Sequence, residues 1–248
     1  MDPVRQFDAD KDERIRALGR DAEFREMSLK WLESCMRKKY VYNFEWLGRP
    51  IIQTPNDIVA LQEIVFATKP DLIIETGIAH GGSLILSASL QALNAMCGGP
   101  PDFKVVGVDI DIRSHNRSAI ERHPMARHIT MIEGSSTAPD VVAQVRTHAA
   151  HSRAILVCLD SNHTRDHVAA ELEAYAGLVS VGSYCIVFDT FVDDVPADVF
   201  PDRPWGPGNN PKTAVREFLA DHPEFEVDAK FDKLMITAAP GGFLRRVR

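Results

Sequence analysis

No stretch of this chain approaches the roughly 18 consecutive apolar residues of a membrane helix. Its start, Met1-Asp2-Pro3-Val4-Arg5, carries no apolar targeting segment. A cytoplasmic protein without a membrane partner is the expectation. A long basic run is also missing, and the net charge is −7, from 28 basic and 35 acidic residues. That balance argues against a nucleic-acid partner. The four cysteines, Cys35, Cys97, Cys158 and Cys185, show no C-x-x-C spacing. Cys158 and Cys185 fall inside apolar runs and read as reduced core residues. There are no internal repeats and no low-complexity tracts. What remains is ordinary for a globular protein: 248 residues, 45% hydrophobic and 25% charged. That suffices for one large domain, or one domain with an N-terminal extension.

Residues 8–40 are charged, with apolar Ile15, Leu18, Phe24, Met27, Trp31 and Leu32 at three- and four-residue steps. This pattern predicts helix packed on the core or on a second subunit, so a homo-oligomer is expected. Tyr40 to Pro50 is dense in aromatics and reads as irregular structure; it either walls a pocket or pins the extension to the body. The extension is placed at residues 1–55 and the body at 56–248, with a first helix over 56–68. Strands are predicted at 71–75, 104–109, 128–132, 154–160 and 183–189. Helices are predicted at 82–96, 114–122, 137–149, 165–180 and 211–221. The strands are continuous apolar runs, as in a parallel sheet covered on both faces. Residues 193–211 carry five prolines and are too polar for a plain connector; loops of this length often serve as lids. The last segment, from Lys233 to Arg246, predicts an antiparallel hairpin around Pro240-Gly241-Gly242.

The richest signal is the run from Asp71 through Ile74-Glu75-Thr76-Gly77-Ile78-Ala79-His80-Gly81-Gly82-Ser83. It is a strand, a glycine turn and a helix start, where free N–H groups await a ligand. A second strand ends in Val108-Asp109-Ile110, and its acid suits a ribose diol. The spacing is G-x-x-x-G-G rather than the G-x-G-x-x-G of a dinucleotide site. A nucleoside cofactor without a pyrophosphate, S-adenosylmethionine (SAM), is therefore the expected ligand. Glu133-Gly134-Ser135-Ser136 follows the third strand, and either approaches the adenine or caps the next helix.

Two further strands end in acid, at Asp160 and Asp189. Ligands of open α/β sheets sit beyond the carboxyl ends of the strands, so these carboxylates share a crevice. Converging carboxylates repel unless a cation or proton lies between them, and Mg²⁺ is the natural divalent ion for oxygen ligands. Either acid could instead cap a helix or pair with an arginine. His163, three residues beyond Asp160, reads as a general base, a metal ligand or a surface residue. A non-haem iron triad needs two histidines and a carboxylate, and the one H-x-E string, His222-Pro223-Glu224, lies far from these acids in sequence.

Together these segments resemble the cephalosporin hydroxylase / rhamnosyl O-methyltransferase family. The similarity runs through Trp46-Leu47-Gly48, Gln53-Thr54-Pro55, Ile74-Glu75-Thr76-Gly77, Gly81-Gly82-Ser83, Val108-Asp109-Ile110-Asp111 and Glu133-Gly134-Ser135-Ser136. It continues in Asp160-Ser161-Asn162-His163, in Gly182 to Thr190, in Gly206-Pro207-Gly208 and in Gly241-Gly242-Phe243-Leu244. The resemblance implies a Rossmann-like class I methyltransferase fold: an α/β protein with a mostly parallel seven-stranded sheet and a C-terminal antiparallel hairpin. It implies a SAM-dependent, Mg²⁺-assisted O-methyltransferase acting on a small-molecule hydroxyl, such as a deoxysugar of a natural product or glycolipid. Asp160 and Asp189 match the family's metal positions, whereas Phe188 stands where relatives can carry an acid. The SAM contacts implied are Glu75, Thr76, Gly77, His80, Gly81, Ser83, Asp109, Ile110, Gly134, Ser135, Ser136 and Asp160. Asp160 and His163 would carry the chemistry, and Tyr42, Trp46, His163 and Trp205 would contact the acceptor. The rival readings are a non-catalytic SAM-binding partner subunit, an iron-type oxygenase and an NAD-dependent oxidoreductase.

Overall fold

The computed structural model describes residues 2–248. Two helices, α1 (Pro3–Arg20) and α2 (Ala22–Arg37), precede a short hairpin of β1 (Phe44–Trp46) and β2 (Arg49–Ile51). Then come α3 (Pro55–Thr68), β3 (Leu72–Thr76), α4 (Gly82–Met96), β4 (Lys104–Asp109), α5 (Ser114–Glu121) and β5 (Ile129–Glu133). The chain continues through α6 (Pro139–Ala149), β6 (Ile155–Leu159), α7 (Arg165–Tyr175), β7 (Tyr184–Val187), α8 (Pro211–Asp221), β8 (Phe225–Val227) and β9 (Phe243–Arg246). Seven strands form one sheet in the order β5-β4-β3-β6-β7-β9-β8. The first five run parallel, and β9 lies antiparallel between β7 and β8.

Successive strand residues face opposite sides, and the core divides accordingly. Ile74, Val106, Val157 and Leu159 pack with α6, α7 and α8 through Val145, Leu172 and Phe218. Ile73, Val105, Leu156 and Ile186 pack on the other face with α3 and α4 through Leu61, Ile64 and Leu84. Each such side chain removed from water contributes about 1.5–3 kcal/mol. Strands apolar on both faces are the reason the parallel sheet was readable as unbroken runs.

The helical stretch of the N-terminal segment falls into two helices, because Asp21 leaves helical geometry (φ −78°, ψ 92°) and its carboxylate accepts from Phe24 N to start α2. Three expectations need correction. The aromatic segment is ordered: β1 and β2 pair across Leu47 and Gly48, both at positive φ (47° and 80°). Helix α7 ends at Tyr175, short of the expected residue 180, and a single 3₁₀ turn over Ala176–Leu178 follows. Finally, β9 pairs with β8 rather than with residues 233–237. A 3₁₀ helix over Ala229–Leu234 leads into that stretch instead, and α3 ties it down: Asn56 Nδ2 donates to Leu234 O at 3.0 Å, and Ala238 N donates to Asp57 at 2.8 Å.

Asp57 is buried, at 1% exposure. Burial pushes its carboxyl up to about 6, against the hydrogen bonds of Thr237, Ala238 N and Thr54. A carboxyl raised in the folded state stabilises most below its unfolded pKa, near 4, and loses that contribution as pH rises through the folded value. Asp57→Asn removes the titration. Urea unfolding of the two proteins should show their stability difference moving against the wild type by roughly 2–3 kcal/mol between about pH 4 and pH 7. A difference independent of pH would mean the site is wetter than its burial indicates.

Candidate active site

The carboxyl ends of β3, β6 and β7 open into a cavity of about 350 Å³. Gly77 sits at its floor with φ +90°, and a Cβ there would lie 2.0 Å from the Asp160 carbonyl oxygen. Glycine is thus required for the turns after β3 and β6 to touch. Asp160 N donates to Thr76 O at 3.0 Å and Gly77 N to Val108 O at 2.8 Å, which fixes three strand ends against one another.

Asp160, His163 and Asp189 each present a ligand atom within 4.8 Å of the others. His163 Nε2 lies 2.9 Å from Asp189 Oδ2. Asp189 holds φ 55°, a left-handed backbone that costs a non-glycine residue about 1–2 kcal/mol. Burial, then the Asp189 charge, push the Asp160 carboxyl well above the usual range. Burial alone lowers the His163 imidazole, but the Asp189 and Asp160 carboxylates outweigh it and raise the group to about 9. Without a metal, the imidazolium paired with Asp189 is the cation of this cluster. Two carboxylates and one imidazole opening into a cavity suit a hard divalent ion whose remaining positions are filled by water or a substrate oxygen. Phe188 is buried in the core at 5% exposure and adds no ligand.

The cofactor side fits a nitrogen-bearing cation. A narrow void beside the cavity is lined by Gln53, Glu75, Thr76, Ser83 and Asp160. Gln53 Oε1 and Thr76 Oγ1 are buried there without hydrogen-bond partners. Glu75 is buried, bonded by Ser87 Oγ, and raised by desolvation. Acceptors of this kind match an ammonium that donates three hydrogen bonds. Gln53 entered the sequence analysis only through the family resemblance and with no role, since a lone glutamine before a helix carries no chemical signal of its own.

Tyr42, Gly77, His80, Ser83, Asp160, His163, Asp189 and Trp205 all line the main cavity. Trp205 sets its ring edge on His163, with centroids 4.7 Å apart. It belongs to the loop at 193–210, which is tied shut: Asp193 Oδ1 accepts from Gly208 N and Asn210 Nδ2, and Oδ2 from Arg216. The expected lid is thus a folded roof, to which Phe200 and Arg203 also belong.

Other expected contacts lie elsewhere. Trp46 does not line this cavity; its Nε1 donates to Ser89 Oγ at 2.9 Å on α4, which is where a buried indole finds a partner. Ser136 Oγ lies 3.1 Å from His167 Nε2, and Tyr175 donates to its carbonyl, so its side chain serves a buried seam with Ser161 and Glu171. Ser135 Oγ meets Thr137 at 3.1 Å in a local turn. Gly134 packs on Val141, Gly81 on Ile120, and Ile110 is exposed. The Asp109 carboxylate accepts from Ile78 N at 2.7 Å, Ala79 N at 3.2 Å and Asp111 N at 3.1 Å. It holds the glycine turn from behind, and neither it nor Gly134 borders the cavity. His222 and Glu224 pair with each other at 3.1 Å and take no part in the cavity lining.

A parallel sheet with an antiparallel last pair, and a ligand cavity at its carboxyl edge, is the layout of the class I methyltransferase fold. The sequence matches the family described as Rhamnosyl O-methyltransferase/CmcI over residues 38–247. The chain belongs to that family, and is thereby a SAM-dependent O-methyltransferase. The rhamnosyl O-methyltransferase of Mycobacterium leprae (strain TN) is 34% identical over 204 residues, covering 81% of this chain and 82% of that protein. The protein of the same name from Mycobacterium tuberculosis (strain ATCC 25618 / H37Rv) is 32% identical over 220 residues, covering 84% and 82%. Among solved structures, CmcI without ligand aligns with TM-score 0.56 at 19% identity, over 84% of this chain and 77% of that one. CmcI with Mg and SAM gives 0.53 at 19% identity, over 84% and 78%. The O-methyltransferase TomG from Streptomyces achromogenes, with SAM, gives 0.52 at 18% identity, over 80% and 79%. These three share the fold. Among the described residues, no helix is long and apolar enough to cross a membrane.

Proposed function

We propose that this chain transfers the SAM methyl group to a hydroxyl of a sugar or glycoside, with Mg²⁺ held by Asp160 and Asp189. The carrying observation is the Asp160–His163–Asp189 cluster, whose ligand atoms lie within 4.8 Å of one another at the mouth of the glycine turn. The sugar acceptor is supported by the names of the curated relatives; a glycosylated natural product is the favoured source. When bound, Mg²⁺ supplies a Lewis acid for the acceptor hydroxyl and takes over the charge balance that the imidazolium otherwise provides. His163 takes up the hydroxyl proton at Nε2, the nitrogen that faces Asp189. Gln53, Glu75 and Thr76 receive the ammonium of SAM, and the floor at Gly77 lets the cofactor approach the acids. Tyr42 and Trp205 wall the acceptor and exclude water, so that orientation supplies much of the rate.

Incubation with SAM and Mg²⁺ across a panel of glycosides should yield a methyl ether, and EDTA should stop it. Methyl transfer that persists in EDTA would remove the metal from this reading. Absence of S-adenosylhomocysteine (SAH) binding would remove the cofactor.

The N-terminal helices support self-association. Phe24, Met27 and Trp31 lie exposed at 40%, 56% and 43% along one stripe of α2, a spacing of three and four residues. Met27→Glu with Trp31→Glu should reduce the mass seen by sedimentation to that of one chain; an unchanged mass counts against this stripe as the interface.

A further inference from the structure

We propose that Arg49 is a positioning residue for the cofactor turn, reaching it from a hairpin outside the β/α body. The inference rests on the SAM reading of that turn. Ala79 stands inside the turn at φ 45°, in left-handed space, although it is not glycine. Side chains from three elements hold that conformation. Asp109 accepts from the Ile78 and Ala79 amides at 2.7 and 3.2 Å. Asn116 of α5, 4% exposed, donates from Nδ2 to Ala79 O at 2.9 Å. Arg49 donates to His80 O from both Nε, at 3.0 Å, and Nη2, and bridges from Nη2 to Asn116 Oδ1 at 3.2 Å.

One guanidinium thus closes the circuit, linking the carbonyl of a cavity-lining residue to the amide that holds its neighbour. The planar fork of arginine makes this possible, since an ammonium has no such fixed pair of directions. The hairpin is placed to deliver it. A Cβ on Gly82 would lie 2.2 Å from Pro50 O, so the hairpin strand rests directly on the first turn of α4. Trp46 Nε1 to Ser89 Oγ, at 2.9 Å, and His123 Nε2 to Leu47 O, at 3.0 Å, secure the same hairpin to α4 and to the segment after α5. Trp46 therefore serves the cofactor turn by seating Arg49.

The test is SAH binding by calorimetry on the full chain, with amide hydrogen exchange of residues 77–82 read without ligand. Arg49→Ala should weaken SAH about tenfold, the loss of one charge-assisted link, and speed exchange in the turn while leaving Mg²⁺ binding and thermal midpoint unchanged. Arg49→Lys should fall between, because its single ammonium reaches His80 O but not Asn116 as well. Glu45→Ala, exposed on the same hairpin, should match the wild type. In turnover, Arg49→Ala should raise KM for SAM more than it lowers kcat. Equal SAH affinity and equal exchange in Arg49→Ala overturn the proposal. So does a loss shared equally by Ala and Lys with a lowered thermal midpoint, which marks a structural role. A wild type that binds no SAH overturns the SAM reading itself, whereas exchange in the turn still reports on the clasp.

Discussion

Asp160→Asn and Asp189→Asn will each lower methyl transfer by about three orders of magnitude or more, the loss expected when several kcal/mol of Lewis-acid stabilisation is removed. The two variants should differ in stability, and that contrast carries the argument. Asp160 is a carboxyl whose ionised form is penalised first by burial and then by Asp189. An amide of the same shape removes that penalty, so Asp160→Asn should be at least as stable as the wild type in metal-free buffer. Asp189→Asn instead removes the partner of His163, the pair at 2.9 Å, and leaves the imidazole with less to offset its burial. Its affinity for protons should fall from about 9 toward the ordinary histidine range. Thermal melts with and without Mg²⁺ check both expectations. The wild type should gain stability with Mg²⁺ as mass action requires, and Asp160→Asn should gain little. A wild-type melting point unmoved by Mg²⁺ would count against the site.

His163→Ala will lower kcat by about 10²–10⁴-fold, the usual worth of a positioned general base, while Mg²⁺ binds at least as tightly as before. The opposed signs follow from the charge balance. At neutral pH the His163 imidazolium, raised to about 9, pairs with Asp189 and presents a ring nitrogen within 4.8 Å of an Asp160 oxygen, in the space a cation would share. Removing it removes a competitor for the cation. A metal that displaces a proton binds better as pH rises; wild-type Mg²⁺ affinity should therefore climb through about pH 9, and the variant's profile should be flatter over that range. If His163 were a metal ligand instead, Mg²⁺ affinity would fall in the variant at every pH. Titration calorimetry at two pH values separates the two roles.

The sheet was legible because its strands are apolar on both faces, and the strand-end acids because a charge after four or five apolar residues has one place to go. Continuous runs also gave their boundaries to within one or two residues for β3, β4 and β6. The N-terminal break at Asp21 was hidden, since helix periodicity passes unchanged through a capping residue. The β8–β9 pairing was hidden because the ties from Asn56 and Asp57 act across nearly two hundred residues of chain. Within the site, residue type revealed carboxylates and glycines but not direction. Trp46 and Ser136 were in the right segments, yet their polar atoms found partners on α4 and α7. Gln53 was legible only through the family resemblance, with no role attached, and Arg49 carried no local pattern; the role of Arg49 exists only once the hairpin rests on Gly82.

The roof over the cavity is fastened at its two ends. Asp193 grips Gly208 and Asn210, Asn210 is wholly buried, and Val195 and Phe200 anchor the span between them in an apolar cluster with Leu32 and Phe191. Selection can therefore vary the exposed tip from 201 to 204, whose Arg203 lines the cavity, altering which molecules are admitted while Trp205 keeps its place on His163. A fold fastened in this way separates the evolution of taste from the evolution of chemistry.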